Sequence, residues 1–300
     1  MGGPVDSTFT VRSELVKDVA LNEMPASLTV NGASHGLTAA EVGPANPTGS
    51  AFASDLNSIE ISGGGTNALG NADQFAFFHR TVEGDFDARV RVRAIVGSDR
   101  LESYAKALLV ARETAAAGSA GVLVFATTPT PGDDSTGTTI RNASGAQAAA
   151  LGSVLVPNGI PSAWLRITRT GNAFTTYRGT DGTTWTAFGT TNLALSSSML
   201  VGMGANSHRG GRVVTAVFGD FSIIQAPAQP TILNPTYAGG SFSGSFQTQN
   251  GFSYRVVYKD DLSAATWSLL TTIPGNGAVQ PFSDFSPSPN QRFYRIEILP

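Results

Sequence analysis

The chain has 300 residues, a formal net charge of −3 and no cysteine. That charge argues against a nucleic-acid binder, which carries a basic excess, and the missing thiols exclude disulfides, thiol catalysis and cysteine-ligated zinc. With 14% charged and 41% hydrophobic residues, 34 glycines and 16 prolines, the composition describes many short elements joined by many turns, an all-β chain long enough for two domains or one large sandwich.

No stretch approaches the roughly 18 consecutive apolar residues of a membrane-spanning helix. The start, Met1-Gly2-Gly3-Pro4-Val5-Asp6, has no basic region followed by an apolar run, so it is not a signal peptide. The expectation is a mature or trimmed extracellular or cell-surface protein whose leader is absent, with a cytosolic protein as the alternative.

Strand patterns run along the chain at Thr8–Leu15, Ser27–Val30, Ser58–Ser62 and Gln74–Val82. The clearest is Phe86–Val96, where Ala88, Val90, Val92 and Ala94 alternate with Asp87, Arg89, Arg91 and Arg93, the period of a strand with one buried face. Tyr104–Arg112, Gly121–Ala126, Ala163–Arg169, Ala173–Arg178, Thr184–Phe188, Leu200–Asn206 and Val213–Ile223 follow. Thr170-Gly171-Asn172 and Asp181-Gly182 are hairpin turns, since Gly, Asn and Asp tolerate positive φ. Thr114–Ala120 and Ala146–Leu151 are alanine-rich but too short for helices and are taken as loops or single turns. Thr127–Gly137 is a loop by its turn chemistry.

Gln225-Ala226-Pro227-Ala228-Gln229-Pro230 has the composition of a semi-rigid linker. It divides the chain into a larger domain, 1–226, and a linker plus small β-sandwich, 227–300. The latter has strand patterns at Ser241–Gln247, Tyr254–Tyr258, Trp267–Thr272, Gln280–Phe285 and Phe293–Leu299. A core that small is marginal by itself, and it is expected to lean on the larger domain.

Chemical motifs are weak. Gly32-Ala33-Ser34-His35-Gly36 matches G-x-S-x-G but lacks the strand–turn–helix setting of a nucleophile elbow, and Ser103-Tyr104-Ala105-Lys106 matches S-x-x-K inside a strand pattern. His35, His79 and His208 show no metal-ligand spacing. His79 shares the face of Phe75 and Phe77 and is expected on the core side, hydrogen-bonded. His208 lies in a turn, where exposure and a functional role are the sharper expectation and a plain loop histidine the simpler one. Asp133-Asp134 could contribute oxygens to a structural calcium ion, though a solvated loop is the simpler reading; no other cofactor is expected. No pair of carboxylates can be nominated for glycoside hydrolysis, and no nucleophile–base set can be placed, so the chain is expected not to be an enzyme.

What remains is a basic face. If Val90 and Val92 point inward, Arg91 and Arg93 point outward. If Ala107, Leu109 and Ala111 are packed, Lys106 and Arg112 face out. Adjacent strands would then gather Arg80, Arg91, Arg93, Lys106 and Arg112 on one sheet surface, suited to carboxylate or sulfate. The plainer alternative is a solvated face neutralised by Asp85, Asp87 and Asp99.

Ordered motifs support a resemblance. Asn71-Ala72-Asp73-Gln74-Phe75-Ala76-Phe77, Gly84-Asp85-Phe86-Asp87-Ala88-Arg89-Val90, Ala105–Glu113, Trp164-Leu165-Arg166-Ile167, Gly171–Thr175, Asp181–Thr186 and Val201-Gly202 through His208 resemble the concanavalin A-like, LamG-type β-sandwich modules of secreted bacterial proteins, as found at the C-terminus of β-xylosidase-like enzymes. The stretch runs from about residue 10 to 224. It implies a two-sheet antiparallel jelly roll, an accessory module rather than a catalyst. Leu69-Gly70 stands where the family has Trp-Gly. Ala107-Leu108-Leu109-Val110 stands where it has Ala-Gly-Leu-Met, which puts bulk on the outward face of a family ligand groove. Thr180–Trp185 is similar to a sialidase Asp-box short of one residue, read as a pinned turn with Trp185 packed. The tail, Tyr254–Trp267 and Arg292–Ile296, is similar to fibronectin-like modules.

Two readings follow. One is a carbohydrate-binding accessory module, with Arg80, Arg91, Arg93, Tyr104, Lys106, Arg112 and His208 as candidate ligand residues, Tyr104 stacking on a sugar. The other is a structural cell-surface or filament-forming protein that self-associates through its β domains. Neither reading involves nucleic acid.

Overall fold

Phe86–Gly97 (β6) shows how the architecture arises. Its burial alternates from Phe86 to Val92, with Ala88, Val90 and Val92 inaccessible and Asp87, Arg89, Arg91 and Arg93 partly exposed, because one face of its sheet meets the core and the other meets solvent. The computed structural model describes residues 29–32, 35–97, 104–128, 134–154, 159–225, 227, 229–250, 252–287 and 291–299. Every regular element among them is a strand. Contacts divide the chain into two units, Met1–Gln225 and Ala226–Pro300.

The larger unit holds two sheets. Across the eight-stranded sheet the order is Thr29–Gly32 (β1), Ser50–Asp55 (β3), Ser58–Gly63 (β4), Val214–Gln225 (β15), β6, Ala163–Thr170 (β11), Ala173–Gly179 (β12) and Trp185–Asn192 (β13). Across the seven-stranded sheet it is Ala149–Val154 (β10), Thr136–Arg141 (β9), Gly121–Thr127 (β8), Lys106–Arg112 (β7), Ser198–Asn206 (β14), Phe75–Glu83 (β5) and Thr38–Val42 (β2). All pairings are antiparallel except β1 with β3. Residues of both sheets, among them Ile59, Phe78, Val90, Leu109, Leu165, Phe174, Met203 and Phe218, form the main core. Two buried hydroxyls cross it, Thr138 Oγ1 donating to Thr176 Oγ1 at 3.0 Å, which satisfies both without water.

The central strands of the seven-stranded sheet are buried on both faces, β7 along its whole length. Ala107, Leu109 and Ala111 of β7 face the main core, while Leu108 and Val110 join Val42, Ala68, Phe75, Phe77 and Leu123 in a second apolar cluster on the outer face. Sequence alternation shows which way a side chain points, not what lies above it. Leu108 is fully buried there, with Phe75 beside it over Gly204.

Turn chemistry sets the hairpins. Gly171 takes φ +58° between β11 and β12, and its N–H donates to Asp85 Oδ1 at 2.6 Å. Between β12 and β13 the connection is five residues, Thr180–Thr184, rather than a two-residue turn. Asp181 Oδ1 there accepts the N–H groups of Thr183 (2.8 Å) and Thr184 (2.6 Å), and these bonds hold its carboxyl below the ordinary range.

Several strands carry no legible pattern. β2 (TAAEV) and β3 (SAFASD) are built of small and polar residues. The segment Ala146–Leu151, expected as a loop or turn, contains the start of β10, which pairs with the threonine-rich β9 around a bulge between Ala150 and Gly152. The expected strand Thr8–Leu15, the first half of Ser27–Val30, and residues Ser34, Asp99, Ser103 and Asp133 lie outside the described residues.

The smaller unit has two three-stranded sheets. One is Leu233–Ala238 (β16), Ser241–Gln247 (β17) and Val279–Asp284 (β20). The other is Ser268–Pro274 (β19), Ser253–Lys259 (β18) and Phe293–Leu299 (β21). Phe246, Tyr254, Val256, Phe282 and Ile296 form its core.

Glu41 of β2 gives the larger unit a pH dependence. It pairs in register with Ala76. Its Oε1 accepts the Gly49 N–H, while Oε2 is buried without a partner. Burial pushes this carboxyl from 4.5 up to about 7, against the lowering effect of the Gly49 bond. The fold therefore favours the protonated form: its contribution is fully present below pH 4.5 and is lost as pH rises through 7. Because the group is only half-buried, Glu41→Gln is expected to add about 1 kcal/mol of stability at pH 8 and nothing at pH 4. Melting temperatures of both proteins at the two pH values check this.

Candidate functional site

Strands β7 and β14 are antiparallel neighbours, and their ends coincide: Lys106, the first residue of β7, pairs with Asn206, the last of β14. The chain enters β7 through Tyr104 and leaves β14 through His208, each two residues beyond that pair. Both take left-handed backbone conformations, φ +63° and +60°. A non-glycine residue held there costs about 1–3 kcal/mol and persists where the surroundings enforce it, often at functional sites. The Tyr104 and His208 rings meet at 5.7 Å between centroids, tilted by 59°, and Tyr104 is 41% exposed.

The scaffold below is polar and packed. The Asn206 side chain accepts the His208 N–H at 2.9 Å and donates to the Gln74 carbonyl. Ser207 Oγ lies 3.1 Å from the Gly65 carbonyl and 2.8 Å from that of Arg209, and its one hydroxyl hydrogen is shared between them. Lys106 Nζ donates to the Tyr104 carbonyl at 2.9 Å and lies 5.6 Å from the Phe125 ring centre. Burial pushes its ammonium down to about 8. An exposed phenol ring flanked by an imidazole, above a buried cation, can stack on the apolar face of a sugar and donate hydrogen bonds to its oxygens.

The structure thus brings Tyr104, Lys106 and His208 together, and it separates the other named residues. The expectation that Arg80, Arg91, Arg93, Lys106 and Arg112 share one surface is corrected. β5, β6 and β7 follow one another in sequence, but β6 belongs to the opposite sheet from β5 and β7. Arg91 and Arg93 lie on the outer face of the eight-stranded sheet, paired with Asp220 at 3.9 and 3.7 Å. Arg91 also donates to the Pro161 carbonyl at 2.8 Å. Arg80 sits on the inward register of β5 and donates to the Ile223 carbonyl of β15 at 3.2 Å. Asp87 neutralises Arg166 through two bonds of 2.6 and 2.8 Å.

Arg112 does face the outer side of the seven-stranded sheet, but buried, as a structural clamp. Asp73 Oδ2 lies 3.4 Å from Arg112, and Asp73 receives two bonds from Arg141 at 2.6 and 2.7 Å. Arg112 also donates to the carbonyls of Thr114 and Ala116, and Arg141 to those of Gly70, Ser119 and Ala146. Three loops are tied at this point. Asp73 stood in a sequence motif, but nothing there pointed to its partner Arg141, 68 residues away.

His79 is buried on the outer face, not the main-core side. It stacks on Phe77 at 4.6 Å, and its Nδ1 has no hydrogen-bond partner. Burial, then the nearby Arg112, push it down to about 4. A second aromatic group escaped sequence reasoning. Trp164 and Trp185 meet edge-to-face at 6.2 Å on the outer face of the eight-stranded sheet, and Arg166 lies over Tyr177 (4.8 Å) and Trp185 (5.3 Å). Gly179 between the two tryptophans leaves the room. Among the described residues no group of three or more His, Asp or Glu side chains is gathered that could hold a metal ion.

The larger unit is an antiparallel jelly-roll sandwich. No family model and no curated protein matches the chain. A functionally unknown protein from Saccharomyces cerevisiae is similar in structure over 65% of this chain and 99% of its own, at 15% identity and a TM-score of 0.51; that likeness is one of fold. A legume lectin-like domain from Entamoeba histolytica matches over 63% of this chain and 90% of its own, at 11% identity and a TM-score of 0.40. The exoplasmic/lumenal domain of VIP36 in its Ca2+/Man-bound form matches over 66% and 86%, at 13% identity and a TM-score of 0.36. In this sandwich the outer face of the seven-stranded sheet is filled by Phe75, Phe77, Leu108 and Val110, so polar chemistry gathers at its end, around Tyr104 and His208.

Proposed function

We propose that the chain is a non-catalytic carbohydrate-binding module of the concanavalin A-like class, acting outside the cell or at its surface, with Tyr104 and His208 as its ligand-facing residues. One observation carries the reading: two aromatic side chains, both on left-handed backbone, meet at the rim of a sheet with Tyr104 41% exposed. An aromatic ring held 41% exposed on left-handed backbone at the rim of a sheet suits a ligand that stacks on it.

Tyr104→Gly tests it. Glycine adopts φ +63° without strain, so the melting temperature should change little while affinity on a glycan array falls at least tenfold. Unchanged binding would move the site elsewhere.

The smaller unit favours a second reading, self-association. Strand β16 is exposed along its whole length, with Tyr237 64% accessible, and Phe285 beside β20 is 79% accessible. An exposed edge strand leaves backbone groups open to pairing with another chain. Sedimentation of the chain over a concentration series separates a monomer from assembling β domains.

A further inference from the structure

We propose that the ligand of the Tyr104–His208 site is an acidic glycan, whose carboxylate is received by the Lys106 ammonium. The inference rests on the glycan-binding reading and names its ligand class.

Lys106 is 3% exposed, at the head of β7. Taking an ammonium out of water costs several kcal/mol unless a counter-charge or a full set of acceptors replaces the hydration. Lys106 has neither. Its contacts are one backbone carbonyl, that of Tyr104, and the ring of Phe125. Among the described residues no carboxylate lies within ion-pair distance of it, and burial alone accounts for its depressed basicity.

The other buried cations of this unit are treated differently. Arg112 and Arg141 share Asp73 and between them donate to six backbone carbonyls. Among the described residues no carboxylate lies within bonding distance of Arg169, but its guanidinium donates to the carbonyls of Gly171, Leu195 and Ser196. Lys106 carries three N–H donors and, among the described residues, uses one. Two spare donors on a desolvated cation match the two oxygens of a carboxylate, and a neutral hydroxyl would return less of the desolvation cost.

Position supports the same ligand. The carbonyl that Lys106 holds belongs to Tyr104, whose ring is exposed, and the residue paired with Lys106 is Asn206, which fixes the His208 backbone. The cation thus bonds the backbone of one ligand-facing residue, and its strand position is paired with the residue that anchors the other. A uronate or sialate ring stacked on Tyr104 would present its carboxylate toward Lys106.

The test uses the full chain and an array of uronate- and sialate-bearing oligosaccharides, the same compounds with their carboxyls methyl-esterified, and neutral oligosaccharides. Binding should be confined to the free acids and fall at least tenfold on esterification. It should fall by a similar factor in Lys106→Met, whose apolar side chain suits the buried position, so the fold should hold. Equal binding of acid and ester by the native chain overturns the carboxylate assignment, and that comparison does not depend on any variant folding. Binding confined to neutral glycans, lost in Tyr104→Gly but kept in Lys106→Met, overturns this inference and leaves the glycan reading standing. Failure of the native chain to bind any glycan overturns both.

Discussion

Asp73→Ala should cost the larger unit about 3–5 kcal/mol of folding stability, because it leaves two buried guanidinium groups without their shared carboxylate. Arg112 and Arg141 are both buried, and Arg141 meets Asp73 through two bonds of 2.6 and 2.7 Å. In a unit of this size the loss lowers the melting temperature by roughly 10 °C. Chemical denaturation of the variant beside the native chain measures it. A loss below about 1 kcal/mol, the level of an exposed ion pair, would mean that the backbone bonds between the loops suffice. These include Asp73 N to Ala117 O at 2.9 Å and Gly145 N to Gly118 O at 2.8 Å. The same reasoning separates Arg112 from a binding role: its replacement should act on stability first.

The second large effect is expected at Gly202. This residue sits in β14, flanked by β5 and β7. A Cβ built on it would lie 2.1 Å from the Phe78 carbonyl oxygen and 2.5 Å from the His79 Cα. Both obstacles are backbone, and a central strand held on both sides cannot swing away, so Gly202→Ala should destabilise by about 3 kcal/mol, at the upper end of overpacking effects. Gly210→Ala is the control. Its Cβ would meet only Thr66 Cγ2, at 3.6 Å, and the change should be nearly neutral. Equal stability of the two variants would show that the sheet yields at Gly202 without cost.

The arginines of β6 illustrate how far the chain could be read in one dimension. Their alternation with Ala88, Val90 and Val92 gave the direction of each side chain, and the structure agrees. The neighbours of that face were not legible. Asp220, which pairs with Arg91 and Arg93, is brought there by β15, more than a hundred residues later. Similarly, the split of β7 into an Ala107/Leu109/Ala111 face and a Lys106/Arg112 face could be read, but the apolar layer that buries the second face could not. Tyr104 and His208 were each visible as candidates. That their rings meet depended on the register of β7 with β14.

By itself, the sequence determined the all-β class, the faces of its alternating strands, the turn at Gly171 and the pinned loop at Asp181, because each depends on interactions within a few residues. Only the tertiary structure decided which strands share a sheet and so which charges share a surface. Consecutive strands in a sandwich can enter opposite sheets at no local cost. Arg80, Arg91 and Lys106 therefore diverge onto three different environments, while Asp73 and Arg141, distant in the chain, converge into one buried clamp. Side-chain direction is a property of the strand, whereas burial and counter-charge belong to whatever the rest of the chain lays over it.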